Sequence, residues 1–217
     1  MRFRATKLAV GLLCLATGVA VGCEKTTAGT AIGASPPRLS DPAEPVPGVE
    51  VTVPDHIPPN AVACFPPPGA SATTARASVP DPVAPVIVLP LPDGWVSAAG
   101  SGDVALTSTG PDGMSVRVAI APTDLDPGGA FLRYTADLRT KRPGGKVSVT
   151  AAQFCGYSSQ VLSGTVPGAV DFADRITHIW TNTKAYLVAI QLEGPAGSPG
   201  FDAAKATVMQ QFTIIIP

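Results

Sequence analysis

Residues 176–190 read ITHIWTNTKAYLVAI, and this stretch decides the architecture. Its first part alternates, with Ile176, His178 and Trp180 on one side and Thr177, Ile179 and Thr181 on the other, the period-two signature of a strand. Asn182-Thr183 supplies the turn that sends the chain back. The returning run, residues 185–190, is apolar on both faces. Such a strand needs packed layers above and below it, so the sheet belongs to a layered α+β domain and not to one half of a simple sandwich.

The neighbouring segments extend this sheet. Residues 86–89 read as a strand running into a turn over Pro90-Leu91-Pro92-Asp93-Gly94-Trp95. Val104 and Leu106 alternate with Ala105 and Thr107. After a Gly-Pro-Asp-Gly turn at 110–113, Met114, Val116, Val118 and Ile120 share one face opposite Ser115, Arg117 and Ala119, which predicts a hairpin with one face buried. Asp126 followed by Pro127 reads as an N-cap and first helical position. Phe131, Tyr134 and Leu138 follow at helical spacing until Arg142-Pro143 and Gly144-Gly145 stop the helix. Residues 147–149 and 154–162 read as another strand pair. Ser198-Pro199 opens a last helix with Phe201, Ala204, Val208 and Phe212 on one stripe, and residues 213–216 return as a terminal strand. The sum is a central antiparallel sheet of about six or seven strands flanked by at least two helices, over residues 84–217.

The N-terminus carries an address. Arg2, Arg4 and Lys7 precede fourteen uncharged residues, 8–21, a secretory signal too short to span a bilayer as a mature helix. Cys23 follows Ala20, Val21 and Gly22, the small and apolar pattern of a bacterial lipobox, in which the thiol takes a diacylglyceryl group. An ordinary signal cut at a nearby small-residue site is the alternative. Residues 1–22 are thus expected to be removed, leaving Cys23 as the anchor to the extracytoplasmic face of the cell membrane through acyl chains. Residues 23–83 hold 13 of the 24 prolines and show no helical or strand periodicity, so they read as a tether. Val49, Val51 and Val53 suggest a short edge strand or an ordered loop within it. Of the four cysteines, Cys14 leaves with the signal and Cys23 is consumed by lipid. Cys64 and Cys155 then face an oxidising compartment with each other as partner, which would strap the tether to the domain as a belt. Two separate thiols are the alternative, because spacing alone does not bring two Cα atoms within bonding reach.

The remaining chemistry is sparse. A net charge of −1 with 14% charged residues argues against a grip on nucleic acid. With two histidines, His56 in the tether and His178 in a strand, no catalytic triad is in prospect, and the Gly156-Tyr157-Ser158-Ser159-Gln160 run lacks the second glycine of a nucleophile elbow. No metal-ligand spacing, calcium loop or phosphate loop is present, so no cofactor is expected. Asp124 and Asp126 read as helix-capping residues, and Asp171 and Asp174 as turn residues.

A lipobox, a Pro-rich tether, residues 88–95 reading VLPLPDGW, a helix near 131–138, the strand ending YLVAIQL at 186–192 and a closing helix with Ala203-Ala204 resemble the LpqN/LpqT-type lipoproteins of mycobacteria and their relatives. The resemblance covers about residues 86–217. It implies a Mog1/PsbP-like fold, with an antiparallel sheet between helical layers. It also implies a non-catalytic envelope lipoprotein linked to trehalose mycolate lipids and MmpL-type transporters. No catalytic residues come with it.

Binding is therefore the expected business of the domain. Trp95, Phe131, Tyr134, Leu138, His178 and Trp180 are the candidate ligand contacts, with Arg133 and Arg139 placed to meet a polar or anionic head group; the apolar ones read as core residues first and as ligand contacts second, and His178 first as a satisfied, partly buried imidazole. A binding module for an amphiphilic glycolipid predicts a sizeable apolar pocket between sheet and helix, with polar groups at its mouth. A protein-interaction adaptor for an envelope transporter predicts a closed core and an exposed apolar patch.

Overall fold

The computed structural model describes residues 45–50, 57–63, 73–152, 154–210 and 212–217, all within a compact unit spanning Pro42–Pro217. The expected signal sequence, Cys23, Val51, Val53, His56 and Cys64 lie outside the described residues. In chain order the elements are β1 Val62–Ala63, β2 Thr73–Ala77, β3 Val86–Leu91, β4 Val96–Ala99, β5 Val104–Thr109, β6 Ser115–Thr123, α1 Pro127–Lys141, β7 Lys146–Ala151, β8 Ser159–Val166, β9 Val170–Trp180, β10 Ala185–Pro195, α2 Phe201–Gln210 and β11 Thr213–Ile215.

The β9–β10 hairpin is the long axis of the larger sheet, paired from Ala185 opposite Trp180 to Pro195 opposite Val170. Asn182 takes a positive φ of 68° at the turn, a conformation asparagine tolerates better than most residues. The seven strands run in the order β4-β5-β6-β10-β9-β8-β7, all antiparallel. Because β10 is central, both its faces are covered, as its composition requires. Tyr186, Val188, Ile190 and Leu192 pack into one core with Val116, Val118 and Ile120 of β6 and Val208 and Phe212 from the C-terminal segment. Ala189 faces the other way, into a smaller core built by Phe131 and Leu138 of α1 on Leu162, Phe172 and Ile176.

The expected antiparallel sheet of about six or seven strands is present with seven, and a second, smaller sheet stands beside it. Residues 86–91 and the terminal strand pair with each other in a separate four-stranded sheet, β1-β11-β3-β2, which joins α2 in covering one face of the larger sheet. β3 also continues through Pro90, which the sequence placed in a turn. Pairing with β11 ends at Val88, so that flank of β3 is already an edge where Pro90 sits, and a missing N–H is tolerated there. The alternation expected at 104–107 gives way to consecutive buried Ala105 and Leu106, because the register shifts between Val104 and Leu106.

α1 forms as its sequence dictates. The Asp126 carboxylate accepts from Gly129 N at 2.6 Å, Pro127 opens the first turn, and Arg142 N donates to Leu138 O at the other end. α2 begins at Phe201, two residues after the expected Ser198-Pro199 start, those two lying in the turn before it. The folded chain also begins earlier than residue 84. β2 adds Ala75 and Ala77 to the core, and the segment around 45–50 is fastened to the domain. Ser159 N donates to Gly48 O at 2.9 Å, Gln160 Nε2 to Pro47 O at 2.7 Å, and Glu50 N to Ser158 Oγ at 2.8 Å. Further along, Asn182 accepts from Ile57 N and donates to Ile57 O. A proline-rich stretch without periodicity can dock in this way because the domain supplies its hydrogen-bond partners.

Candidate functional site

α1 lies across the larger sheet on the face away from the small one, and beside its C-terminal half opens a cleft of about 620 Å³. Strand alternation builds its floor. Gln191 of β10 pairs with Arg117 of β6, and Glu193 pairs with Ser115, so all four side chains share the helix-facing side. Tyr134, Asp137, Leu138, Lys141 and Arg142 form the helical wall, and Pro143, Val166 and Val170 close the end. The apolar pocket expected between sheet and helix is instead a mixed one: eight of its twelve lining residues are polar or charged, and Leu138, Pro143, Val166 and Val170 supply apolar surface on the helical wall and at the end.

Behind that lining lies a buried polar cluster. Tyr134 Oη donates to Asp174 Oδ2 at 2.8 Å and accepts from Gln191 Nε2 at 2.8 Å. Asp174 is fully buried, and its Oδ1 has no hydrogen-bond partner. Desolvation pushes its pKa up to about 6 against the opposing pull of the Tyr134 bond and the Arg142 charge. Tyr134 is held well above the usual phenol range, first by burial and then by the neighbouring Asp174 charge. Arg142 stacks its guanidinium 3.9 Å above the Phe172 ring, pairs through Nη2 with Glu193, and leaves Nη1 buried without a partner. One acceptor and one donor thus stand unsatisfied beside the cleft, each costing about 1–3 kcal/mol unless a partner arrives.

The expected contact residues do not converge. Tyr134 and Leu138 line the cleft. Phe131 is wholly buried beneath α1, and Arg133 is exposed on the helix outside the cleft lining. Trp95 packs into the larger core, on the far side of the sheet. His178 is half-buried with a ring nitrogen, Nε2, 3.1 Å from Leu125 O, and burial holds its pKa below the ordinary value. Trp180, 37% exposed, borders Leu125 near the β9–β10 turn. Cys155, exposed at a positive φ of 55°, is disulfide-bonded.

Asp171 and Asp174, read as turn residues, both lie in β9. That strand starts six residues before Ile176, and an aspartate survives in its middle because Tyr134 donates to it. Carrying the alternation back from Ile176 through Asp174 to Phe172 puts Asp174 on the helix-facing side, the signal by which sequence alone could have found it. Gln191, Glu193 and Arg117 were visible only as polar members of strands; their convergence depends on register.

Among the described residues no cluster of three metal-ligating side chains occurs, and no helix is long and apolar enough to cross a membrane. No protein family and no curated protein matches the sequence. The architecture, a seven-stranded antiparallel sheet covered by α1 on one side and by α2 with a small sheet on the other, is of the α+β class. Among solved structures it is similar to that of LpqN of Mycobacterium tuberculosis, a protein involved in cell envelope biogenesis. The match has a TM-score of 0.53 at 20% identity and spans 68% of this chain and 92% of LpqN. The chain has the LpqN fold.

Proposed function

We propose that this chain is a lipid-anchored, non-catalytic binding module of the cell envelope, taking the hydroxyl-rich head group of an amphiphilic glycolipid of the trehalose mycolate type in the cleft beside α1. The observation that carries this reading is the pair of unsatisfied buried atoms, Asp174 Oδ1 and Arg142 Nη1, next to a polar cleft. A sugar hydroxyl both donates and accepts, so it suits both atoms, while Gln191, Ser115 and Glu193 offer further contacts to neighbouring hydroxyls. The lipobox at Cys23 and the fold shared with an envelope protein support the location. Cys64 is the partner we assign to Cys155, making residues 45–63 a belt.

Calorimetry with a short-chain trehalose monoester tests this. Binding at one per chain, weakened at least tenfold in Gln191→Leu, is the expected result; no heat of binding up to millimolar ester refutes it. A second reading, an adaptor for an MmpL-type transporter, is favoured by β4, an edge strand whose four residues are all exposed, with Val96 at 71%. Crosslinking from position 96 to a transporter, with no ester bound, would select it.

A further inference from the structure

On the opposite flank of α1 a second pocket, of about 310 Å³, lies beneath the strap formed by residues 45–50. It shares no lining residue with the polar cleft, so it stands or falls separately from the reading above. Val46 lines it from the strap, Phe131 and Leu132 from α1, and Val149 from β7. The strap's hydrogen bonds to the domain run to Ser158, Ser159 and Gln160, on the β8 side; among the described residues none reaches α1. The strap is thus hydrogen-bonded along one edge, while Val46 and Val49 pack against the core that α1 shares, and apolar walls flank the space left between strap and helix.

Two polar groups line this space. Gln160 is buried, spends its amide N–H on Pro47 O, and has Oε1 without a partner. Arg139 is exposed and has no acidic partner among the described residues. An unsatisfied acceptor calls for a donor, and a guanidinium for an acceptor; a hydroxyl is both.

We infer that the pocket between the strap and α1 binds a single aliphatic chain ending in a hydroxyl, the chain lying against Val46, Phe131, Leu132 and Val149 and the O–H donating to Gln160 Oε1 while its oxygen accepts from Arg139. The volume, at the small end of ligand cavities, suits one chain and excludes a two-chain lipid. The strap is the outer wall, so the site exists only while Gly48 is seated. Gly48 has a φ of +74°, and a Cβ there would stand 1.9 Å from Ser159 O, which no side chain tolerates.

The test is calorimetric titration of the full chain, purified without detergent, with 1-decanol and with its methyl ether, which lacks only the donor. Decanol binds one per chain, and the ether binds at least fivefold more weakly. Val149→Trp fills the space and Leu132→Glu puts charge on its wall; each weakens decanol at least tenfold. Leu132 is 60% exposed, so its variant folds even if the tryptophan is not accommodated. Gly48→Ala weakens decanol as strongly by unseating the strap. Absence of one-to-one binding, equal affinity for alcohol and ether, or binding indifferent to both Leu132→Glu and Gly48→Ala overturns the inference.

Discussion

Asp174 holds its proton more tightly in the folded chain than in the unfolded one, because burial disfavours the carboxylate. Between about pH 4 and pH 6 the native state therefore binds more protons than the unfolded state, and stability falls as pH rises through that window. A shift of about two units is worth at most about 3 kcal/mol. His178 acts in the opposite sense, since its depressed pKa makes stability fall as pH drops below about 6.5. Asp174→Asn isolates the carboxyl: urea midpoints at pH 4.5 and pH 7 should show the variant gaining on the wild type by about 1–3 kcal/mol at the higher pH. A constant difference at the two pH values would contradict the buried-acid account. Tyr134→Phe leaves both Asp174 Oδ2 and Gln191 Nε2 without their partner and should cost about 1–3 kcal/mol in the same measurement. At this scale the sequence was least legible. Tyr134 and Leu138 were found from helical spacing, but Asp174 looked like a turn residue until the tyrosine that stabilises it was in place.

The well-read elements were those whose local chemistry and tertiary setting agree. α1 has its cap, its proline and its stop, and Asp126→Ala should lower stability by about 1 kcal/mol, measured as a fall in Tm. β6 and β10 carry enough branched apolar residues to declare both their period and their burial. β2 could not be read in this way: Thr73–Ala77 buries only alanines, whose small area gives a weak periodic signal, and its place depends on pairing with β3. The strap has no pattern of its own. Its position comes from Ser158, Ser159, Gln160 and Asn182, residues more than a hundred positions away in sequence. Limited proteolysis reads this directly: Asn182→Ala removes both bonds to Ile57, and cleavage within residues 45–63 should accelerate at least severalfold while the C-terminal domain stays intact. An unchanged cleavage rate would mean that the strap does not depend on this clamp.

The molecule as a whole is a sheet with different business on its two faces. The face under α2 and the small sheet is a packed core, whereas the face under α1 carries a polar cleft on one flank and the strap pocket on the other. The layered plan was legible because a strand apolar on both sides demands it, yet the second sheet was hidden, since sequence gives each strand's pattern but not its partners. If Cys155 is joined to Cys64, the bond closes a long loop that includes β2 to β7, and the chain-entropy account gives it about 4–5 kcal/mol. Cys155→Ser should then lower Tm markedly and release the strap to protease, and an intact mass 2 Da below that of the reduced chain would register the bond. The central proposal is that this chain carries an amphiphile by its sugar head. Native mass spectrometry of the chain, purified from an actinobacterial host without detergent, tests it most directly. The account predicts one glycolipid per chain, lost in Gln191→Leu; a bare protein mass in the wild type would contradict it.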